Sequence, residues 1–533
     1  MRIARTSCLT LALMLTFLLQ QTYADVTLHK LFQDRLVLQR EVHAPVWGWA
    51  DAGEQVTVEC AGQTKSATAD ADGNWLIRFD PLEVGGPYRM TVRGSNTIEL
   101  NDVVVGDVWL ASGQSNMVRV VRYSAGAQEI MERADYNNLR LFEVARNVSA
   151  APKRNINGHS WNAAKGRAVG NFSAVAYGFA EKLHRDLDIP IGVITCAVGA
   201  TMLEHWTAPQ VLDSDPLFQE DGVLRWKKWK QNWKYDDLYP DPQNDIEGTF
   251  QKAFAEMQRI NRARAIAKRN GETLPGNFGK DYPIHKAAWK IYKRVPSGLY
   301  NAMLKPLIPF GIKGVIWYQG ESNDDHPELH ARLLPTMIQS WRDEWGYGDF
   351  PFLIVSLAAF RAVPEKPVDS NWARIREAHW NTQNILPNVG TALAIDLGNA
   401  DDIHPKRKEP VGRRLALIAL AKTYGKEVVY SGPVFDSMEM DADAVRITFR
   451  HAHGGLQTSD GEPPRTFALA GEDREFQWAD ATIEGPDTIR LRSAGVPNPV
   501  AVRYAWSDNP DVNLYNAANL PAAPFRTDDW PKE

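Results

Sequence analysis

Val103-Val104-Val105-Gly106-Asp107-Val108-Trp109-Leu110-Ala111-Ser112-Gly113-Gln114-Ser115-Asn116-Met117 is the stretch on which the fold turns. Val103 to Ala111 is a nearly continuous apolar run, the pattern of a strand buried on both faces. A small-residue turn follows, and Ser115 sits in it. A strand that ends in glycine and feeds a helix lifts a serine hydroxyl clear of the sheet edge. The first backbone N–H groups of that helix are then free to meet a developing oxyanion. Taken alone, Ser115 also fits an ordinary helix N-cap.

Outward from this stretch the pattern repeats. Apolar runs recur at Ile189 to Cys196, Lys313 to Tyr318, Phe350 to Ser356 and Val389 to Ile395. Helical apolar spacing lies between them, at Ala174 to Asp186 and Leu329 to Glu344. Strands alternating with helices predict a parallel sheet flanked by helices. Sites in such sheets form at the carboxyl ends of the strands. Ser115, Gly199, Gln319 and the 396–404 loop all fall there.

Two of these ends carry chemistry that matches a serine nucleophile. Asp401-Asp402-Ile403-His404-Pro405 offers a histidine, the usual base at neutral pH, with aspartates close enough to fix its tautomer. With 12 histidines in the chain, one near an aspartate is also expected by chance. Val315-Ile316-Trp317-Tyr318-Gln319-Gly320-Glu321-Ser322-Asn323 is a strand ending in a glycine turn with amides at its tip. Gln319 or Asn323 could donate to an oxyanion. The same segment also reads as a structural turn around a buried Glu321.

Together these segments resemble the sialate O-acetylesterase family of carbohydrate esterases, within the SGNH (GDSL-like) hydrolases. The resemblance rests on Gly113-Gln114-Ser115-Asn116-Met117, Trp317-Tyr318-Gln319-Gly320-Glu321-Ser322-Asn323 and Asp402-Ile403-His404-Pro405. Phe172 to Tyr177, Pro296 to Met303, Phe32 to Arg40 and Ala44 to Ala50 are similar to that family too. The match runs from about residue 27 to about 425, weakest over 213–290.

The resemblance implies a flavodoxin-like three-layer α/β/α catalytic domain of the SGNH type, with flanking β-sandwich modules. It implies a metal-independent, cofactor-free O-acetylesterase acting on an acetylated carbohydrate through an acetyl-Ser115 intermediate. The substrate would be sialic acid or an acetylated polysaccharide such as xylan. His404 would be the base. The SGNH spacing prefers Asp401 as its orienting acid, whereas Asp402 is the residue that matches the family's Asp-Ile-His-Pro run. The Ser115 N–H, the Gly199 N–H and an amide, Gln319 before Asn323, would form the oxyanion hole. Ala200 stands where relatives often carry a second glycine. Two other readings compete: a glycoside hydrolase with paired carboxylates drawn from Asp396, Asp401, Asp402 and Glu321, and an inactive carbohydrate-binding protein.

Composition bounds the rest. At 533 residues the chain exceeds one core, and ~150 residues per domain suggests about three. A net charge of −5 gives no reason to expect nucleic acid or an anionic membrane surface as partner. The 18 tryptophans suit sugar stacking and large β cores alike. Arg2, Arg5, an apolar run from Leu9 to Leu19 and small residues at Thr22 and Ala24 read as a secretory signal, residues 1–24. The expected localisation is secreted or periplasmic, with no membrane association after cleavage. Cys60 and Cys196 are expected as separate buried thiols. His326, His330, His451 and His453 are expected on surface loops and not at a metal.

The expected domains are an N-terminal β-sandwich at 25–103, a catalytic domain at 104–425 and a C-terminal β-rich domain at 426–533. A helical insertion is expected at about 213–292. It contains the basic, aromatic run Trp226 to Lys234 and an amphipathic helix from Phe250 to Asn270. Among the C-terminal strands expected is Glu427 to Tyr430.

Overall fold

The computed structural model describes residues 25–224, 246–273, 295–441 and 444–531. The expected signal, residues 1–24, lies outside them, as does Trp226 to Lys234. The amphipathic segment is a helix, Ile246–Asn270. No helix among the described residues is long and apolar enough to cross a membrane.

Short alternating runs build the first strands: β1 Thr27–Leu28, β2 Val37–Gln39, β3 Pro45–Trp49, β4 Gln55–Cys60, β5 Gln63–Thr68, β6 Asn74–Arg78 and β7 Gly85–Arg93. β4 alternates buried Val56, Val58 and Cys60 with exposed or half-exposed neighbours, as a sheet with one face on a core requires. Next comes β8, Thr97–Gly113, a single strand of 17 residues. Its first half pairs antiparallel with β7 and parallel with β2. Its second half is the centre of a different sheet. The strand therefore runs through residue 103 without a break and belongs to two bodies at once.

The second sheet contains β9 Asp135–Glu143, β10 Asn162–Lys165, β11 Ile191–Ala197, β12 Gly314–Tyr318, β13 Phe352–Val355 and β14 Val389–Ala392. The order across it is β10-β9-β11-β8-β12-β13-β14. All pairs are parallel except β10 with β9. The second half of β8 and strands β11 to β14 are buried on both faces, and alternate residues go to opposite cores. Val108, Leu110, Val315, Trp317 and Ile354 join the helix Pro327–Trp345 on one side. Trp109, Ala111, Ile316, Tyr318 and Val355 join the helices Ala174–Leu187 and Glu409–Lys422 on the other. Each such aliphatic side chain contributes roughly 1.5–3 kcal/mol on burial.

β9 and β10 extend the sheet beyond the five expected strands. The first half of β9, Asp135-Tyr136-Asn137-Asn138, is too polar to read as a buried strand. β9 nevertheless holds its register with β11 through Leu139 to Glu143.

The C-terminal region forms two four-stranded sheets and one two-stranded sheet. Val445, Ile447, Ile489 and Leu491 from one four-stranded sheet and Phe467, Leu469, Val502 and Tyr504 from the other share a core. Glu427 to Tyr430 is not a strand. Val428 and Tyr430 pack instead beside the helix-covered face of the central sheet, and that burial accounts for their apolar character. Cys60 and Cys196 are buried in β4 and β11 as free thiols. Burial pushes the Cys60 thiol up to about 12.

One buried charge ties these parts together. Asp107, on β8, accepts from both arms of Arg40 at 3.0 and 3.1 Å, from Gln39 at 2.8 Å and from the Tyr424 hydroxyl at 2.9 Å. Gln39 ends β2 and Arg40 follows it, and Tyr424 follows the last helix of the central layer.

Candidate active site

The carboxyl ends of β8, β11 and β12 are level, because Gly113 registers with both Ala197 and Tyr318. Three loops therefore leave the sheet side by side. Gly113 makes this possible. Its φ is +127°, and a Cβ there would stand 2.2 Å from the Tyr318 carbonyl oxygen. Gln114 N–H then bonds to that same oxygen at 2.8 Å.

Ser115 opens a four-residue helix, Ser115–Val118, with Gln114 in the N-cap position. Ser115 is thus not the cap. Its neighbours Asn116 and Met117 are buried, while Ser115 keeps partial exposure. Gly199 lies against it: a Cβ on Gly199 would be 3.4 Å from the Ser115 Cβ and 4.0 Å from the Ser115 nitrogen. Among the described residues, the N–H groups of Ser115 and Gly199 donate to no protein atom. Ala200, in the second-glycine position, has φ +59°. Such a conformation costs an L residue about 1–2 kcal/mol, which is why glycine suits the position.

Gln319 behaves differently from expectation. It is fully buried, and its amide donates to Asn323 Oδ1 at 2.7 Å, the Thr201 carbonyl at 3.1 Å and Gln114 Oε1 at 3.3 Å. Two protons meet three acceptors inside the loop cluster, so none is left for an oxyanion. Asn323 is also buried. Its Oδ1 accepts from Leu203 N–H at 3.0 Å, and its Nδ2 donates to Glu204 at 3.0 Å, with one amide proton remaining. These side chains lace the three loops together.

Asn116 joins the serine segment to the histidine loop. Its Nδ2 donates to Glu321 at 2.5 Å and to the Ile403 carbonyl at 3.1 Å, and its Oδ1 accepts from Lys408 Nζ at 2.5 Å. Ile403 immediately precedes His404. Burial raises the Glu321 pKa, and burial brings Lys408 down to about 7. The Lys408 ammonium also stands 5.5 Å from the centre of the Tyr318 ring.

In the histidine loop, Asn399 Oδ1 holds the N–H groups of Asp401 and Asp402 at 2.8 and 3.0 Å. This turn sends the two carboxylates different ways. Asp401, the acid preferred from SGNH spacing, is exposed. Asp402 Oδ1 accepts the His404 backbone N–H at 2.9 Å and lies 3.4 Å from His404 Nδ1. The carboxylate beside the imidazole is therefore that of Asp402. Burial, with the charges of Arg119 and Lys408, holds the His404 pKa below its ordinary value, against the opposing pull of Asp402. Ser115 Oγ makes no hydrogen bond to His404. Such bonds commonly tighten only when substrate binds.

Three of the four carboxylates of the glycosidase reading are held by other partners. Asp396 is clamped by Arg414 at 2.6 and 2.7 Å, Glu321 accepts from Asn116, and Asp402 accepts the His404 backbone N–H. His330 is not on a surface loop. It faces the core from the helix Pro327–Trp345, with its Nε2 3.0 Å from that of His379. His379 in turn underlies the Gln319 turn, where a Cβ on Gly320 would come within 2.9 Å of it.

Nothing in the sequence alone assigns a separate role to Gln114, Arg119, Asn116 or Lys408. The only available signal was the position of Asn116 directly after Ser115. Nothing in the sequence marks Lys408 as its partner.

The sequence profile described as "Carbohydrate esterase, sialic acid-specific acetylesterase" matches residues 105–235 and 284–421. The sialate O-acetylesterase of Mus musculus is 30% identical over 536 residues, covering 92% of each chain. That of Rattus norvegicus is 29% identical, also covering 92% of each. A crystal structure of a carbohydrate acetylesterase from Xanthomonas citri is 35% identical, with a TM-score of 0.77 over 95% of this chain and 100% of that one.

Proposed function

Because this chain belongs to the sialic acid-specific acetylesterase family of carbohydrate esterases, we propose that Ser115 and His404 perform its chemistry through an acetyl-serine intermediate. The protein is a carbohydrate O-acetylesterase. In the proposed route His404 Nε2 takes the Ser115 Oγ proton as Oγ bonds to the acetyl carbonyl carbon. The tetrahedral oxyanion is received by the N–H groups of Ser115 and Gly199, with the remaining Asn323 amide proton as the side-chain candidate. Collapse breaks the ester bond, and His404 returns its proton to the sugar oxygen. Water, deprotonated by His404, then attacks the acetyl-enzyme and releases acetate and free Ser115. Asp402 holds the imidazole.

The observation that carries this reading is the Asn116 tether, which fixes the loop of His404 to the residue after Ser115. The three-layer SGNH architecture with flanking β-sandwiches is part of the same proposal, supported by the parallel sheet and by the helices on its two faces.

The substrate class follows the relatives. Two are sialate O-acetylesterases and one is a carbohydrate acetylesterase, so O-acetylated sialic acid and acetylated polysaccharides such as xylan are the proposed substrates. The proposed localisation is secreted or periplasmic, resting on residues 1–24. The test is acetate release from a panel of acetylated glycans by wild type and Ser115→Ala, with p-nitrophenyl acetate as the minimal ester. A variant retaining more than about a tenth of the wild-type rate overturns the assignment, since loss of a covalent nucleophile costs several orders of magnitude.

A further inference from the structure

A cleft that includes none of the residues of the candidate site lies between the helix Asn371–Ile385 and the C-terminal sheets. It encloses about 370 Å³. Trp380 and Tyr430 contribute aromatic surface, and Asn381, Gln383 and Asn384 contribute carboxamides. Among the described residues, none of these three carboxamides, nor the Trp380 N–H, nor the Tyr430 hydroxyl, has a protein hydrogen-bond partner. Lys422 reaches the cleft with one protein acceptor, the Val389 carbonyl at 3.1 Å, and its ammonium stands 5.8 Å from the centre of the Tyr430 ring, which leaves the other face of that ring for a ligand. The other charges of the wall neutralise each other: Arg526 is bidentate to Glu377 at 2.7 and 3.0 Å, and Arg450 pairs with Asp436 at 3.1 Å.

We propose that this cleft is a non-catalytic binding site for a segment of glycan chain. The chemistry of the lining selects this ligand. An indole and a phenol ring stack on the C–H faces of pyranoses. A carboxamide both donates and accepts, as a hydroxyl does, so three of them together match the vicinal hydroxyls of a sugar. The volume is that of an ordinary small-ligand site, and the mostly polar wall suits a polyhydroxylated ligand.

Its position gives it a use. The helix Glu409–Lys422 begins one residue after Lys408, which holds Asn116, and ends at the cleft. Its 14 residues, at 1.5 Å each, separate the two ends by roughly 20 Å. A single acetylated sugar cannot occupy both places. A polymer can, and holding it at the cleft raises its effective concentration at Ser115. The site therefore acts on KM for polymers and leaves small esters untouched.

The experiment uses full-length Ser115→Ala protein in native gels containing soluble acetylated xylan, acetylated glucomannan or polysialic acid. Retardation by at least one polymer is expected, reduced several-fold by adding Trp380→Ala or Asn381→Ala with Asn384→Ala. In the Ser115 background, the same changes should raise KM for that polymer about tenfold and leave p-nitrophenyl acetate turnover unchanged. The double variant alters only exposed positions and decides the matter if Trp380→Ala disturbs the fold. No retardation by any of the three polymers, or retardation unaffected by the double variant, overturns the proposal. Failure of wild type to hydrolyse p-nitrophenyl acetate would instead overturn the esterase mechanism, without bearing on the gel result.

Discussion

One oxygen of Asp402 accepts the backbone N–H of His404 at 2.9 Å and stands 3.4 Å from Nδ1 of the same residue. The acid thus holds the loop that carries the imidazole and lies beside the ring nitrogen that it would orient in the proposed mechanism. Asp402→Asn should lower kcat by up to about 10⁴ if it mis-sets the tautomer as in other triads. Asp401→Asn, on an exposed side chain, should change kcat less than about threefold. Steady-state kinetics on one acetylated substrate ranks the two. Equal small losses would leave a Ser–His dyad.

His404 must be neutral to act as base. Its pKa lies below the ordinary 6.5, through burial first and then the Arg119 charge. Activity is therefore complete above that lowered value and is lost only as pH falls through it, so the acid limb of kcat/KM is expected below pH 6.5. Arg119→Gln removes a repelling cation and should move the limb upward. Lys408 adds to the depression and Asp402 opposes it, so Asp402→Asn should move the limb down. A limb indifferent to Arg119→Gln would show that another group titrates there.

Asn116→Ala removes the bonds to Glu321, Ile403 and Lys408 together. Two buried ionisable groups then lose a partner, at about 1–3 kcal/mol each. A fall in denaturation midpoint is expected along with a kcat loss larger than any change in KM, because the histidine loop is no longer held. Normal kcat in a destabilised variant would reduce Asn116 to a packing role.

Asp107→Ala should destabilise without touching the chemistry. It leaves Arg40 with Glu41 alone and takes an acceptor from Gln39 and Tyr424, and breaking a buried pair on one side typically costs about 3–5 kcal/mol. Urea unfolding should show the loss, and p-nitrophenyl acetate turnover at low temperature should stay near wild type. Loss of turnover in folded protein would contradict the separation of this anchor from the site.

The strands with two buried faces were legible because an unbroken apolar run such as Val103 to Ala111 leaves few alternatives. β9 was not, since its first four residues are polar. Ser115 and His404 could be named from motifs. The choice between Asp401 and Asp402 could not, because consecutive residues differ only in where the Asn399-held turn directs them. Gln319 shows the same limit. Its place at a strand end is readable, but its capture by Thr201, Asn323 and Gln114 depends on loops far apart in the chain.

The 17 residues from Thr97 to Gly113 carry a last consequence. A nuclease-style dissection of the gene into separately expressed pieces has no place to cut here. Any truncation near residue 104 would cut this strand across, separating the half in one sheet from the half in the other, and a piece ending there would leave β2 without its partner and its edge open to aggregation. The two bodies should therefore melt in one transition, with matching midpoints by tryptophan fluorescence and by circular dichroism. Lineages that shuffle this hydrolase should carry its N-terminal strands along with it, since the backbone that presents Ser115 begins inside them.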